Sequence, residues 1–366
     1  MSGWITAVYR LRAGAAEVEA RAEAIALEQS VEAPLAAVRD DFVRENIVGR
    51  VAAIEDCGGG WFEARIELAA ATIGYDAGQL LNMLFGNSSL LEDVLLVDAI
   101  LPAPLAAAFG GPSHGLAALR AEAGASGRAL TCSALKPQGV PAAELAELAF
   151  ALSMGGLDFL KDDHGLADQT YSRFEARIAA CAAAVRKARD RTGGRTRYAP
   201  SLSGSYPQMR QQLLAARGEG LDAALIAPMI AGCSNFQALR VEFPDFAFLA
   251  HPTMTGRAIS PVLFARLFRL FGADVAIFPN YGGRFGYSPA VCEAIAAALL
   301  SGDDGLKPSI PAPAGGMSVE RTPELLDRYG RDVMLLIGGA LLSAPREALT
   351  EQTRRFVEAV ASHHYR

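Results

Sequence analysis

Short apolar runs alternate with amphipathic segments along most of the chain, and the rhythm of that alternation changes once. Up to about residue 110, strand-like runs such as "ITAVYRLRA" and "GWFEARIELAAA" mix with the helical spacing of "AAEVEARAEAIALEQS". The segment "SLLEDVLLVDAILPAPL" reads as strand and leads into the Pro- and Gly-containing "PAPLAAAFGGPSHG", which places a domain boundary near residue 112. From residue 128 the pattern is regular. Eight runs read as strands: "ALTCSALK", "LDFLKDD", "RYAPSLS", "DAALIAP", "FAFLAHP", "DVAIFPN", "KPSIPAPAGG" and "VMLLIGG". Helical segments such as "AAELAELAFALSM" and "SRFEARIAACAAAVRKARDR" lie between them, so an α/β chain ending in a parallel (β/α)8 barrel is predicted.

Active sites of such barrels collect at the strand C-terminal ends. The first barrel strand ends in Lys136, and the second in Lys161, Asp162, Asp163 and His164. The fifth ends in His251, and the sixth in Asn280 ahead of "YGGRFG" with its Arg284. Glycine pairs close the last two strands, Gly315-Gly316 and Gly338-Gly339. Bare backbone N–H groups there predict a phosphate site.

Composition narrows the classes. The 366 residues suffice for two domains, and the net charge of −6 without a basic patch argues against a nucleic-acid partner. No long uncharged apolar stretch suggests a membrane span, and "MSGWITAVYRLRAG" does not read as a signal peptide. Cysteines 57, 132, 181, 233 and 292 form no CxxC pair, which suits a reducing cytoplasm and predicts neither a zinc site nor disulfides.

The run "GGLDFLKDDHGL", with "ARAEAIALEQSVEAP" before it and "LLIGGALLSAP" after it, resembles the ribulose-bisphosphate carboxylase (RuBisCO) large-chain superfamily along almost the whole chain. The resemblance implies an N-terminal α+β (ferredoxin-like) domain, residues 1–112, followed by a TIM barrel, residues 113–366. It implies a lysine, here Lys161, that takes up CO2 as a carbamate and holds Mg2+ together with Asp163. His164 stands where that family has a glutamate, so it either ligates through nitrogen, which admits Mn2+, or leaves the place to water. An ordinary ion pair of Lys161 with Asp163 is the plain alternative.

By the same resemblance Lys136 is a proton-transferring lysine and His251 a catalytic histidine. The arginine that follows that histidine in the family is Pro252 here, and a family serine is Ala314. Glu28 matches a glutamate that reaches into a neighbouring subunit, implying a homodimer or a multiple of dimers. Its companion asparagine is Asn82 or Asn87.

No lysine in "IFPNYGGRFGYSP" matches the mobile-loop lysine of true carboxylases, which removes the group that stabilises a carboxylated intermediate. A non-carboxylating RuBisCO-like protein (form IV) is therefore expected, enolising a phosphorylated keto-sugar or keto-sugar acid. Decarboxylation of a 3-oxo-isoapionate-4-phosphate-type substrate is the first reading. Isomerisation or enolisation of a methylthio-sugar phosphate is the alternative, and an inactive regulatory binding protein is the third. With Pro252 and Ala314 in place of a cation and a hydroxyl, one substrate phosphate is expected rather than two.

Overall fold

The computed structural model describes residues 3–302 and 304–365. Strands β1 (Trp4–Arg12), β2 (Arg50–Gly58), β3 (Trp61–Ala69) and β4 (Val94–Ile100) form an antiparallel sheet in the order β2-β3-β1-β4. Alternation sets its inner face: Phe62, Ala64, Ile66 and Leu68 of β3 are buried, and the helix Val18–Glu28 packs on the sheet with Val18, Ala22 and Ile25. The strand expected over "SLLEDVLLVDAILPAPL" is shorter in the structure. Only Val94–Ile100 is extended, and a helix, Ala103–Phe109, begins with Pro104 in its first turn, where the missing N–H costs nothing.

All eight predicted barrel strands form: β5 (Leu130–Leu135), β6 (Phe159–Asp162), β7 (Arg197–Ala199), β8 (Ala223–Ile226), β9 (Ala247–Ala250), β10 (Val275–Pro279), β11 (Ile310–Ala314) and β12 (Met334–Leu336). They are parallel in the order β7-β6-β5-β12-β11-β10-β9-β8. The ring closes between β7 and β8, where Leu225 N–H donates to Pro200 O at 2.8 Å and Leu202 N–H to Leu225 O at 2.8 Å. Period-two alternation splits the apolar residues into two cores. Cys132, Phe159, Leu225, Leu249, Ile277 and Ala312 fill the barrel interior. Leu135, Leu160, Tyr198, Phe248 and Phe278 face the surrounding helices.

The floor is fixed by a buried carboxylate. Asp274 accepts from the N–H groups of His114 (2.7 Å), Gly115 (2.8 Å) and Phe248 (2.9 Å), tying the segment between the two sheets to the barrel. Among the described residues, no helix is long and apolar enough to cross a membrane.

Candidate active site

Strand β6 delivers the charged residues to the rim, and alternation sorts them. The Asp162 carboxylate is fully buried and accepts from Tyr198 OH at 2.7 Å, Arg177 Nε at 3.0 Å and Ser201 N–H at 3.0 Å. Arg177, also fully buried, donates further to the carbonyls of Ala167 (2.9 Å) and Ser172 (2.8 Å). This network anchors the loop after β6. Its neighbours Lys161 and Asp163 instead line the cleft at the barrel mouth.

Lys161 is 3% exposed, and its Nζ donates to Asp162 O at 3.0 Å. Burial pushes its ammonium below the usual lysine range, against the pull of Asp163. Lys136, just past β5, pairs with Asp163 Oδ2 at 2.6 Å. Oδ1 of the same carboxylate accepts from Gly165 N–H at 3.0 Å, with Gln138 Nε2 at 3.4 Å. Burial alone would raise the Asp163 carboxyl, but Lys136, the Gly165 N–H and Lys161 outweigh it and hold it well below the usual carboxylate range. The Gln138 amide lies directly over Gly165 and leaves no room for a Cβ there.

His164 Nδ1 sits 3.5 Å from Asp163 Oδ1, and its ring stacks on His251 with centroids 4.0 Å apart and planes 12° from parallel. Thr253 N–H donates to His251 Nδ1 at 3.2 Å, so a neutral His251 carries its proton on Nε2. Burial, with Lys161 and His164 nearby, pushes His251 down to about 2, which keeps the ring neutral.

The cleft holds about 900 Å3. Lys136, Lys161, Asp163, His164, His251, Arg284, Gly315, Gly316, Gly338 and Gly339 all line it. Gly316 has φ +65°, and a Cβ there would lie 2.6 Å from Gly283 Cα, so its lack of a side chain lets the "YGGRFG" loop seat against the end of β11. The exposed Arg284 guanidinium lies over the Phe285 ring, 5.0 Å from its centroid.

Two predicted residues lie elsewhere. Asn280 is not part of the cleft lining. It shares the outward parity of Ala276 and Phe278, is fully buried, and accepts from Tyr329 OH at 2.6 Å through Oδ1. Glu28 ends its helix in the N-terminal domain and does not line this chain's own cleft. Asn87, rather than Asn82, is its companion: Asn87 Nδ2 donates to Glu28 Oε1 at 2.7 Å, while Asn82 donates to Gln79.

Sequence reading missed Arg177, Tyr198 and Thr253. One signal was available for Arg177: a cation at helical spacing from Phe174, Ile178 and Cys181 on a buried face. Among the described residues, no three His, Cys, Asp or Glu side chains converge as a ready-made metal site. Beside Asp163 and His164, a third ligand would have to come from Lys161.

A small antiparallel sheet ahead of a closed eight-stranded barrel, with lysines and an aspartate at the rim of β5 and β6, defines the class: a RuBisCO-type α/β fold. Residues 115–286 match the ribulose bisphosphate carboxylase large chain catalytic domain family. The crystal structure of a Rubisco-like protein from Rhodopseudomonas palustris superposes with a TM-score of 0.93 at 50% identity, covering 100% of both chains. The chain is 56% identical over 364 residues to the 5-methylthioribulose-1-phosphate isomerase of Rhodospirillum rubrum, covering 99% of this chain and 97% of that protein. It is 30% identical over 360 residues to the 2,3-diketo-5-methylthiopentyl-1-phosphate enolase of Geobacillus thermodenitrificans, covering 91% and 86%. The chain belongs to the RuBisCO-like proteins, the non-carboxylating enzymes of this superfamily. Its relatives favour the isomerase or enolase alternative over the decarboxylase expected first.

Proposed function

We propose that the protein is a metal-dependent isomerase of a methylthio-substituted keto-sugar monophosphate of the 5-methylthioribulose 1-phosphate kind. One observation carries this reading: 56% identity, over 99% of the chain, to an enzyme of that name. No relative named above supports decarboxylation or an inactive regulatory role.

The site residues fit a hard divalent cation. Lys161 is a buried amine that CO2 converts into an anionic oxygen donor, Asp163 supplies a second, and His164 is adjacent as a nitrogen donor. Mg2+ suits the oxygens, and the imidazole widens the choice to Mn2+. The bound metal supplies Lewis acidity at a substrate carbonyl.

Lys136 is the proton carrier, since its Nζ reaches the cleft paired with Asp163. In the isomerisation one C–H proton leaves a carbon beside the carbonyl and one returns to the former carbonyl carbon, so the carbonyl shifts and no atom is lost. His251 offers Nε2–H as a neutral donor. The N–H groups at Gly315, Gly316, Gly338 and Gly339 suit the phosphate, with Arg284 the nearby cation. Incubating the protein with Mg2+, bicarbonate and 5-methylthioribulose 1-phosphate should yield an isomeric phosphate by 31P NMR. A substrate left unchanged would reject the reading.

Glu28 and Asn87 belong, in this reading, to the cleft of a second copy, with the N-terminal domain (1–112) of one subunit covering the barrel (113–366) of another. Mixing inactive Glu28→Ala with inactive Lys161→Ala should restore activity as subunits exchange. No recovery after demonstrated exchange would refute the shared site.

A further inference from the structure

A small apolar side pocket opens beside the cleft, between the outer face of β10 and two helices. Phe264, Ala265 and Phe268 of the helix Pro261–Phe271 form one wall, and Ala276 and Phe278 of β10 form the other. Pro252, Thr255, Pro279 and Tyr287 line both this pocket and the cleft, so its mouth lies on the cleft rim.

Its chemistry is restrictive. Among the described residues, no charged side chain lines it, and the Thr255 hydroxyl already donates to Pro252 O at 2.9 Å. A phosphate or carboxylate would find no cation there, at a cost that disfavours it. Its volume of about 20 Å3 is little more than the space one water-sized sphere occupies, enough for a terminus of one or two heavy atoms. The Phe264 and Phe268 rings, 5.8 Å apart, offer aromatic surface to such a terminus, and sulfur makes favourable contacts with ring edges.

We infer that this pocket receives the substrate's methylthio group, and that Ala265 and Phe268 set the length of alkylthio tail the enzyme accepts. The inference rests on the isomerase reading for its substrate, but binding tests it separately from turnover. It uses wild-type enzyme, Ala265→Leu, which fills the pocket, and Phe268→Leu, which enlarges it. The ligands are 5-methylthioribulose 1-phosphate, its 5-ethylthio homologue and 5-deoxyribulose 1-phosphate, which lacks the thioether.

Wild type should bind the methylthio sugar about tenfold or more tighter than the deoxy sugar, the discrimination typical of a small group in an apolar pocket. Ala265→Leu should erase that preference. Phe268→Leu should shift preference toward the ethylthio homologue and decides the matter if Ala265→Leu does not fold. Equal wild-type affinity for the methylthio and deoxy sugars overturns the inference, as does an unaltered preference in a folded variant. Turnover of both sugars without a preference sinks the pocket and keeps the isomerase. A preference in binding without turnover keeps the pocket and sinks the isomerase.

Discussion

On the β5–β6 side of the cleft, Lys136, Lys161 and Asp163 gather three ionisable groups in one corner, with a single 2.6 Å pair holding two of them together. On the β9–β10 side, Pro252, Pro279, Phe278 and Tyr287 form an apolar rim with a small apolar pocket behind it, and Arg257 and Arg284 lie on the loops beyond. In the proposed isomerase the two sides would divide the work of one active site. Moving a proton needs groups whose charge can change, which in the proposed isomerase assigns proton transfer to the first corner, with His251 at the end of β9 stacked on His164 as a neutral donor. Selecting the far end of the substrate needs only shape and polarity, so the apolar rim of the second side can be rebuilt without touching the reaction.

The comparison breaks most completely if the charged corner proves dispensable. Lys161→Ala should lower kcat/KM roughly a thousandfold or more and abolish Mg2+ binding in bicarbonate buffer, since a catalytic metal contributes several kcal/mol. Full activity and metal affinity in that variant would leave Lys161 an ordinary buried lysine.

The corner also depends on the wall behind it. Asp162 and Arg177 are both fully buried, and removing one partner strands the charge of the other. Arg177→Met should therefore destabilise the protein by about 3–5 kcal/mol in urea unfolding. An unchanged midpoint would mean the pair does not anchor the loop after β6.

The smallest effect sharpens the apolar side. Because Pro252 and Ala314 offer neither cation nor hydroxyl, ribulose 1,5-bisphosphate should bind the metal-loaded protein at least about tenfold more weakly than a five-carbon keto-sugar monophosphate. A single charged hydrogen bond is worth about 1.5–3 kcal/mol. Tighter binding of the bisphosphate, measured by titration calorimetry, would contradict the division.

The charged corner was more legible in the sequence than the apolar one, and the reason is geometric. Barrel strands are buried on both faces, so each appears as a continuous apolar run, and a charge at its end stands out. That is how Lys136, Lys161 and Asp163 were found. Strand β2 was overlooked because it is an edge strand with mostly exposed residues and no such run. Asn280 was misplaced because position at a strand end does not reveal which way a side chain faces, and its parity turns it toward Tyr329. Arg177 lies 16 residues after Lys161 in the chain, on a helix, and only packing brings it under β6. The side pocket has no sequence signature, since its walls come from two helices, a strand and two loops.

The most direct test of proton transfer in the charged corner is solvent deuterium incorporation into 5-methylthioribulose 1-phosphate, followed by NMR with the metal-loaded enzyme. Wild type should label the carbon beside the carbonyl, and Lys136→Met should do so about 10²–10⁴-fold more slowly while keeping its fold and metal. Labelling by Lys136→Met at the wild-type rate would contradict the account and move the base to another residue.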